Sequence, residues 1–235
     1  MLDLGSTEFV LSIPSVPEQE LRRLSSSLFD SWEAFVDRSL SVPDYSLFLQ
    51  VEEGSVKGLA KIGAVVGAIY IGVGNYGDFL AGVKTINEQV NATGDYLTEQ
   101  ANRLFSCPPT RASSRKHGGS LTAIQRLFVR VQRGELTPDQ AMIRAEKLLG
   151  DEANADTGFM RKLAEAFQSC PPYHRQQPFP FVEQGGESEP LLQPIPQLPR
   201  PLKTGPPNLG PPLHLRVEVW RESKTKRKRT RVIKL

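Results

Sequence analysis

The sequence predicts an α+β fold. A strand–helix–strand opening leads into a Gly/Ala-rich buried helix, a long amphipathic helix, a small helical module, a proline-rich linker and a C-terminal β-hairpin. Three observations carry this. Residues 7–13 (TEFVLSI) read as a short strand rich in Phe, Val and Ile, and 45–53 (YSLFLQVEE) as a half-buried strand by its alternation. Between and beyond them apolar residues recur every three to four positions, the period of amphipathic helices. Thirteen of the nineteen prolines lie between Pro171 and Pro212, a composition that buries no core.

Taken in order, Ser15 and Glu18 make a capping box with Pro17 in the first turn. The helix that follows carries Leu21, Leu24, Leu28, Trp32, Phe35 and Val36 on one stripe, and Pro43 ends the region. In the second strand Leu47, Leu49 and Val51 alternate with Phe48, Gln50 and Glu52. The two strands are expected to pair in parallel, because a full helix connects them.

Gly54-Ser55 turns the chain into Leu59–Gly77, LAKIGAVVGAIYIGVGNYG. On a helix, Ala60, Gly63, Ala64, Gly67, Ala68 and Gly72 share one face. Ala60, Ala64, Ala68 and Gly72 recur every four residues, the spacing that lets helix backbones approach closely. Ile62, Val65, Val66, Ile69, Val73 and Tyr76 form the other face, so no side is left for water. Such a helix is buried in a core, or it packs on a membrane or on copies of itself. The uncharged run from Ile62 to Gly77 is shorter than the ~20 residues a full span needs.

Asn75 and Asp78 are both candidate N-caps for a helix over 79–105. There Phe79, Val83, Ile86, Val90, Leu97, Ala101 and Leu104 keep a seven-residue rhythm, either as a surface helix of the same domain or as a coiled-coil contact. Residues 107–119 read as a polar, basic linker. Ser120 then caps a helix with Leu121, Ile124, Leu127, Phe128 and Val131, and Gly134 ends it. Thr137-Pro138-Asp139-Gln140 is a second capping box; Ala141, Ala145, Leu148 and Leu149 line the helix up to Gly150. A third helix, about 158–168, carries Phe159, Met160, Leu163 and Phe167. The expected organisation is thus 1–106, 107–119, 120–169, 170–212 and 213–235.

Within this, IQRLFVRVQRGELTPDQAMIRAEKLLG resembles the short helical pairs called SHOCT domains over residues 124–149. The shared features are the apolar residues before Gly134, Leu136-Thr137, Asp139 and Lys147-Leu148-Leu149. Gln140-Ala141 departs from the acidic residue and Phe usual there. The resemblance implies an oligomerisation or docking module without catalysis.

The net charge of +3 conceals an asymmetry, since residues 221–235 hold eight Lys/Arg and one Glu. Leu213, Leu215, Val217 and Val219 alternate as one strand of a hairpin, with Val232, Ile233 and Leu235 on the return. The loop and return strand between them present Lys224, Lys226, Arg227, Lys228, Arg229 and Arg231 as candidate anion-binding residues. Pro196–Pro199 fits PxxP within what reads as a linker.

Cys107 and Cys170 offer neither a disulfide framework nor zinc spacing, so a reduced chain is the simpler reading, a single bridge between them being the other. No signal segment is expected, and the localisation expected is cytoplasmic, with membrane association through the Gly/Ala-rich helix as the second reading. His117, His174 and His214 fall in linkers and at the hairpin edge, and no phosphate-binding or hydrolase motif is present. Glu52 and Glu53, being adjacent on a strand, point to opposite faces and make no acid/base pair. No cofactor, metal or small-molecule substrate is implied. The leading expectation is a self-associating interaction protein whose basic tail holds an anionic partner such as a membrane surface. A nucleic-acid-binding protein is the alternative and an enzyme of another type the third.

Overall fold

The computed structural model describes residues 1–74, 78–171 and 215–235. The prolines from Pro172 to Pro212, the PxxP, His174, His214 and Leu213, together with Asn75, Tyr76 and Gly77, lie outside them. The fold is α+β. Its strands are β1 (Leu2–Leu11), β2 (Ser46–Glu52), β3 (Val56–Ala64), β4 (Ala112–Gly118), β5 (Leu215–Arg221) and β6 (Arg229–Lys234). Its helices are α1 (Glu18–Ser39), α2 (Val66–Gly74), α3 (Phe79–Leu104), α4 (Ser120–Gln132), α5 (Pro138–Leu149) and α6 (Thr157–Gln168). The sheet runs β4-β1-β3-β2-β5-β6, and every neighbouring pair is antiparallel.

The expected parallel pairing of β1 with β2 gives way to a sheet in which both flank β3. That strand occupies the first part of the stretch read as one Gly/Ala-rich helix. Val56, Gly58, Ala60, Ile62 and Ala64 are buried, while Lys57, Leu59, Lys61 and Gly63 are not. A four-residue repeat of small residues is an even spacing, so it places residues on one face of a strand as readily as of a helix. The small buried side chains of β3 make room for β1, because a Cβ on Gly58 would lie 1.9 Å from the Phe9 ring. Only Gly67, Ala68 and Gly72 of the six small-face residues are helical, and they sit on the nine-residue α2.

A Cβ on Gly67 would meet nothing nearer than an Asp156 carboxylate oxygen at 3.5 Å, so no helix backbone approaches there. The close contact runs the other way: a Cβ on Gly82 of α3 would lie 2.7 Å from the Val73 carbonyl of α2. Gly67→Ala is therefore expected to raise the stability by about 0.5–1 kcal/mol, the helix-interior cost of glycine. A thermal melt checks this, and a clear drop in the midpoint would show a packing contact at Gly67 after all.

Pro17 occupies the N-cap of α1 without a side-chain cap, and Ser15 donates instead to Glu53, so the expected capping box does not form. Leu21, Leu28, Phe29, Trp32 and Val36 enter the core from α1. Phe35 stacks on Tyr96 of α3 with ring centroids 4.1 Å apart. Asp78 caps α3 by accepting from Leu80 N–H. The heptad residues Val83, Ile86, Leu97 and Ala101 are fully buried in the chain's own core, which takes that face. The expected linker over 107–119 holds β4 instead, an edge strand whose pairing with β1 supplies its backbone bonds. Thr137 and Gln140 close the second capping box, and Gly134 and Gly150 take positive φ at the ends of α4 and α5. Cys107 and Cys170 are free thiols, the former buried. No helix among the described residues is long and apolar enough to cross a membrane.

Candidate functional site

Alternation puts one face of the sheet against the helices and leaves the other uncovered by any described element. Leu47, Leu49, Val51, Val217 and Val219 are fully buried on the helix side. Their strand neighbours Phe48, Gln50, Glu52, Arg216, Glu218 and Trp220 therefore point away from it, and each is only half-buried. Phe48, Trp220, Val10 and Leu59 are not among the side chains that pack on the core. Neither Phe48 nor Trp220 contacts another ring among the described residues.

The register aligns these residues in rows across the strands. One row runs His117, Ser6, Lys61, Phe48, Trp220, Arg229 from β4 to β6. It has two aromatics side by side, a cation on each flank and no carboxylate. The next row runs Arg115, Glu8, Leu59, Gln50, Glu218, Arg231, and the third Ser113, Val10, Lys57, Glu52, Arg216, Ile233. Each carboxylate in these three rows has a cation in a cross-strand position. Glu52 accepts from Arg216 at 2.7 Å, and Glu8 and Glu218 lie opposite Arg115 and Arg231. Within these three rows six Lys/Arg stand against three Glu.

Of the six candidate anion-binding residues, Arg229 and Arg231 stand on this face. The others follow the hairpin tip toward α1. Lys226 and Arg229 both pair with Glu222, at 2.8 and 3.2 Å, and the Lys226 hydrogen bond holds the Glu222 carboxyl below its ordinary range. Lys228 pairs with Asp30 of α1. The Lys224 ammonium lies 5.9 Å over the Tyr45 ring, and Arg227 has no ion-pair partner among the described residues. Burial opposes the charge of Asp44, but hydrogen bonds from Lys224 N–H at 2.8 Å and the Ser223 hydroxyl at 2.9 Å outweigh it and lower its pKa. The basic run is thus a folded tip seated on acidic side chains. Exposed pairs of this kind add little to stability, because water screens them.

Behind Trp220, on the helix side, Arg221 is 6 % exposed. Its guanidinium reaches Glu33 at 2.7 Å and Asp37 at 3.1 Å and lies 5.4 Å from the Tyr45 ring centroid. Tyr45 in turn donates to Asp37. Burial and the Asp37 partner push the Tyr45 hydroxyl far above its ordinary pKa. This cluster fixes the hairpin to α1 and so fixes Trp220 beside Phe48.

The small-face residues divide without forming a site. Ala60 and Ala64 are buried in β3, Gly63 lies on its other face, and Gly67, Ala68 and Gly72 are on α2. The aromatic row is what sequence reading missed. Its signal was present: Phe48 falls on the polar phase of β2 and Trp220 on the polar phase of β5. No group of acidic, His or Cys side chains among the described residues is arranged to hold a metal. No family model matches the chain, and no curated protein or solved structure matches it either.

Proposed function

We propose that the protein binds single-stranded nucleic acid across the uncovered face of its sheet. The observation that carries this is the row Lys61, Phe48, Trp220, Arg229. Two rings with no ring partner among the described residues offer stacking surfaces for bases, and the flanking cations, Lys61 and the Glu222-paired Arg229, meet the phosphates on either side. The rows below add Arg115, Arg216 and Arg231 with their carboxylates already offset. Stacking on the rings needs bases that are free of their partners, which favours a single strand over a duplex. Helices and hairpin are then the frame that presents the row.

The test is a titration with a short oligothymidylate, following anisotropy of the labelled strand and the fluorescence of the protein. Trp32 is sealed in the core, so quenching reports Trp220. Phe48→Ala and Trp220→Ala are each expected to weaken binding about tenfold, within the ~1–3 kcal/mol that one stacked base contributes. Log affinity should fall linearly with log salt, by about 0.7 for each phosphate neutralised. The same measurement with a duplex should give the weaker complex. Absence of quenching and of anisotropy change at low salt, with binding to acidic-lipid vesicles instead, would replace this reading with the membrane one.

A further inference from the structure

One row below the aromatics, the same face holds a depression of about 170 Å³ between β1, β3 and β2, lined by Glu8, Val10, Gln50, Glu52, Lys57 and Leu59. Two of its polar groups are already committed. Glu52 accepts from Gln50 at 2.9 Å and from Arg216 at 2.8 Å. The two charges left at the rim are Glu8 and Lys57. The register sets Glu8 opposite Leu59 and Val10 opposite Lys57, so Glu8 and Lys57 are diagonal neighbours across β1 and β3, at about 7–8 Å between their backbones. They form no ion pair with each other. Glu8 lies opposite Arg115 but makes no ion pair with it, and His117 at 3.5 Å is its one ion-pair partner among the described residues; Lys57, opposite Glu52, has none among them. An acceptor-only carboxylate and a donor-only ammonium thus stand apart across a cavity walled by Val10 and Leu59.

We infer that this depression receives a guanine base of the bound strand, Glu8 taking its N1–H and N2–H donors and Lys57 donating to O6. The inference rests on the single-strand reading above. The chemistry selects among the bases. An ionised carboxylate accepts two hydrogen bonds and donates none. Only guanine sets two ring-edge donors side by side with a carbonyl next to them. Thymine and uracil offer one N–H between two carbonyls, and adenine and cytosine set a bare ring nitrogen beside their amine. Each would put a lone pair against Glu8. Gln50 lies two residues along β2 from Phe48, about 7 Å away, so a strand stacked on the aromatic row has its neighbouring base over the depression.

The experiment compares three oligothymidylates: one with a single central guanosine, one with inosine there, which lacks the N2 amine, and one unsubstituted. The full-length protein should bind the guanosine strand about tenfold more tightly than the inosine strand. Glu8→Gln replaces one acceptor with a donor and should bring that ratio close to one, with an unchanged circular dichroism melt showing that the sheet is intact. Equal affinity for all three strands by the wild-type protein overturns the guanine pocket and leaves the stacking platform standing. Binding of guanosine monophosphate by a protein that ignores every strand keeps the pocket and overturns the platform. Failure to bind any strand or the nucleotide overturns both.

Discussion

Gly119→Ala is expected to lower the stability by about 3 kcal/mol, at the upper end of what overpacking ordinarily costs. Gly119 is the N-cap of α4, at the point where the chain leaves β4 for the helix layer. A Cβ there would lie 2.1 Å from the Asp3 carbonyl oxygen and 2.4 Å from the Leu4 carbonyl carbon. Both are backbone atoms of β1, so no side chain can swing aside. Either β1 shifts near its bulge between Asp3 and Gly5, or α4 backs away from α3. The entropy lost from the unfolded chain on adding a methyl would return only about 0.4–1 kcal/mol. The φ of −86° is open to any residue, so the loss is steric and owes nothing to backbone strain. A denaturant titration should show the midpoint falling with the slope unchanged. A midpoint equal to that of the wild type would mean that α4 is not packed on β1 as described.

Much of the fold is legible in the residues themselves, and the failures have physical causes. The caps at Asp78 and Thr137 and the glycine stops at Gly134 and Gly150 name their helix ends, because each rests on chemistry local to a few residues. The hairpin of β5 and β6 is legible for the same reason, through Leu215, Val217 and Val219. By contrast, β3 is hidden by an even spacing of small residues that serves helix and strand alike. The strand β4, with SSRKH at its centre, has no apolar phase because both of its sides are largely exposed. Such a polar edge strand is identified by its partner, and charged side chains there also discourage further strand addition. The aromatic row is half legible. Each ring is visibly out of phase with its strand's apolar residues, yet only the register places residue 48 beside residue 220. The rim of the guanine depression belongs wholly to tertiary structure, since Glu8 and Lys57 come from different strands.

Arg221→Met is expected to cost about 2–3 kcal/mol at neutral pH and distinctly less near pH 4. Removing one member of a fully buried ion pair costs about 3–5 kcal/mol. Glu33 and Asp37 keep 22 % and 34 % of their side-chain surface, so solvent screening brings the figure down. The pH dependence follows from the carboxylates left behind. In the wild-type protein burial raises the pKa of Glu33, Arg221 pulls against it, and Asp37 and Asp30 push it further up. Burial also acts to raise Asp37, but the hydrogen bonds from Tyr45 and Arg221 outweigh it and leave the pKa lowered. Without the guanidinium, Glu33 rises further and Asp37 loses one of its two hydrogen-bond donors. An acid whose folded pKa lies above its unfolded value stabilises below the unfolded value and loses that contribution as pH rises through the folded one. For Glu33 that window opens at the ordinary glutamate value of 4.5 and extends upward. The variant's deficit should therefore widen from pH 4 to pH 7. Its melting midpoint at neutral pH should fall by roughly 5–10 °C, taking about 2–4 °C per kcal/mol for a chain of this size. Trp220 is the residue just before it in β5, and fluorescence quenching by oligonucleotide should weaken in parallel, because the strand carrying the ring has lost its tie to α1. A deficit that is the same at both pH values would show that Arg221 acts by packing alone, with no electrostatic hold on Glu33 and Asp37.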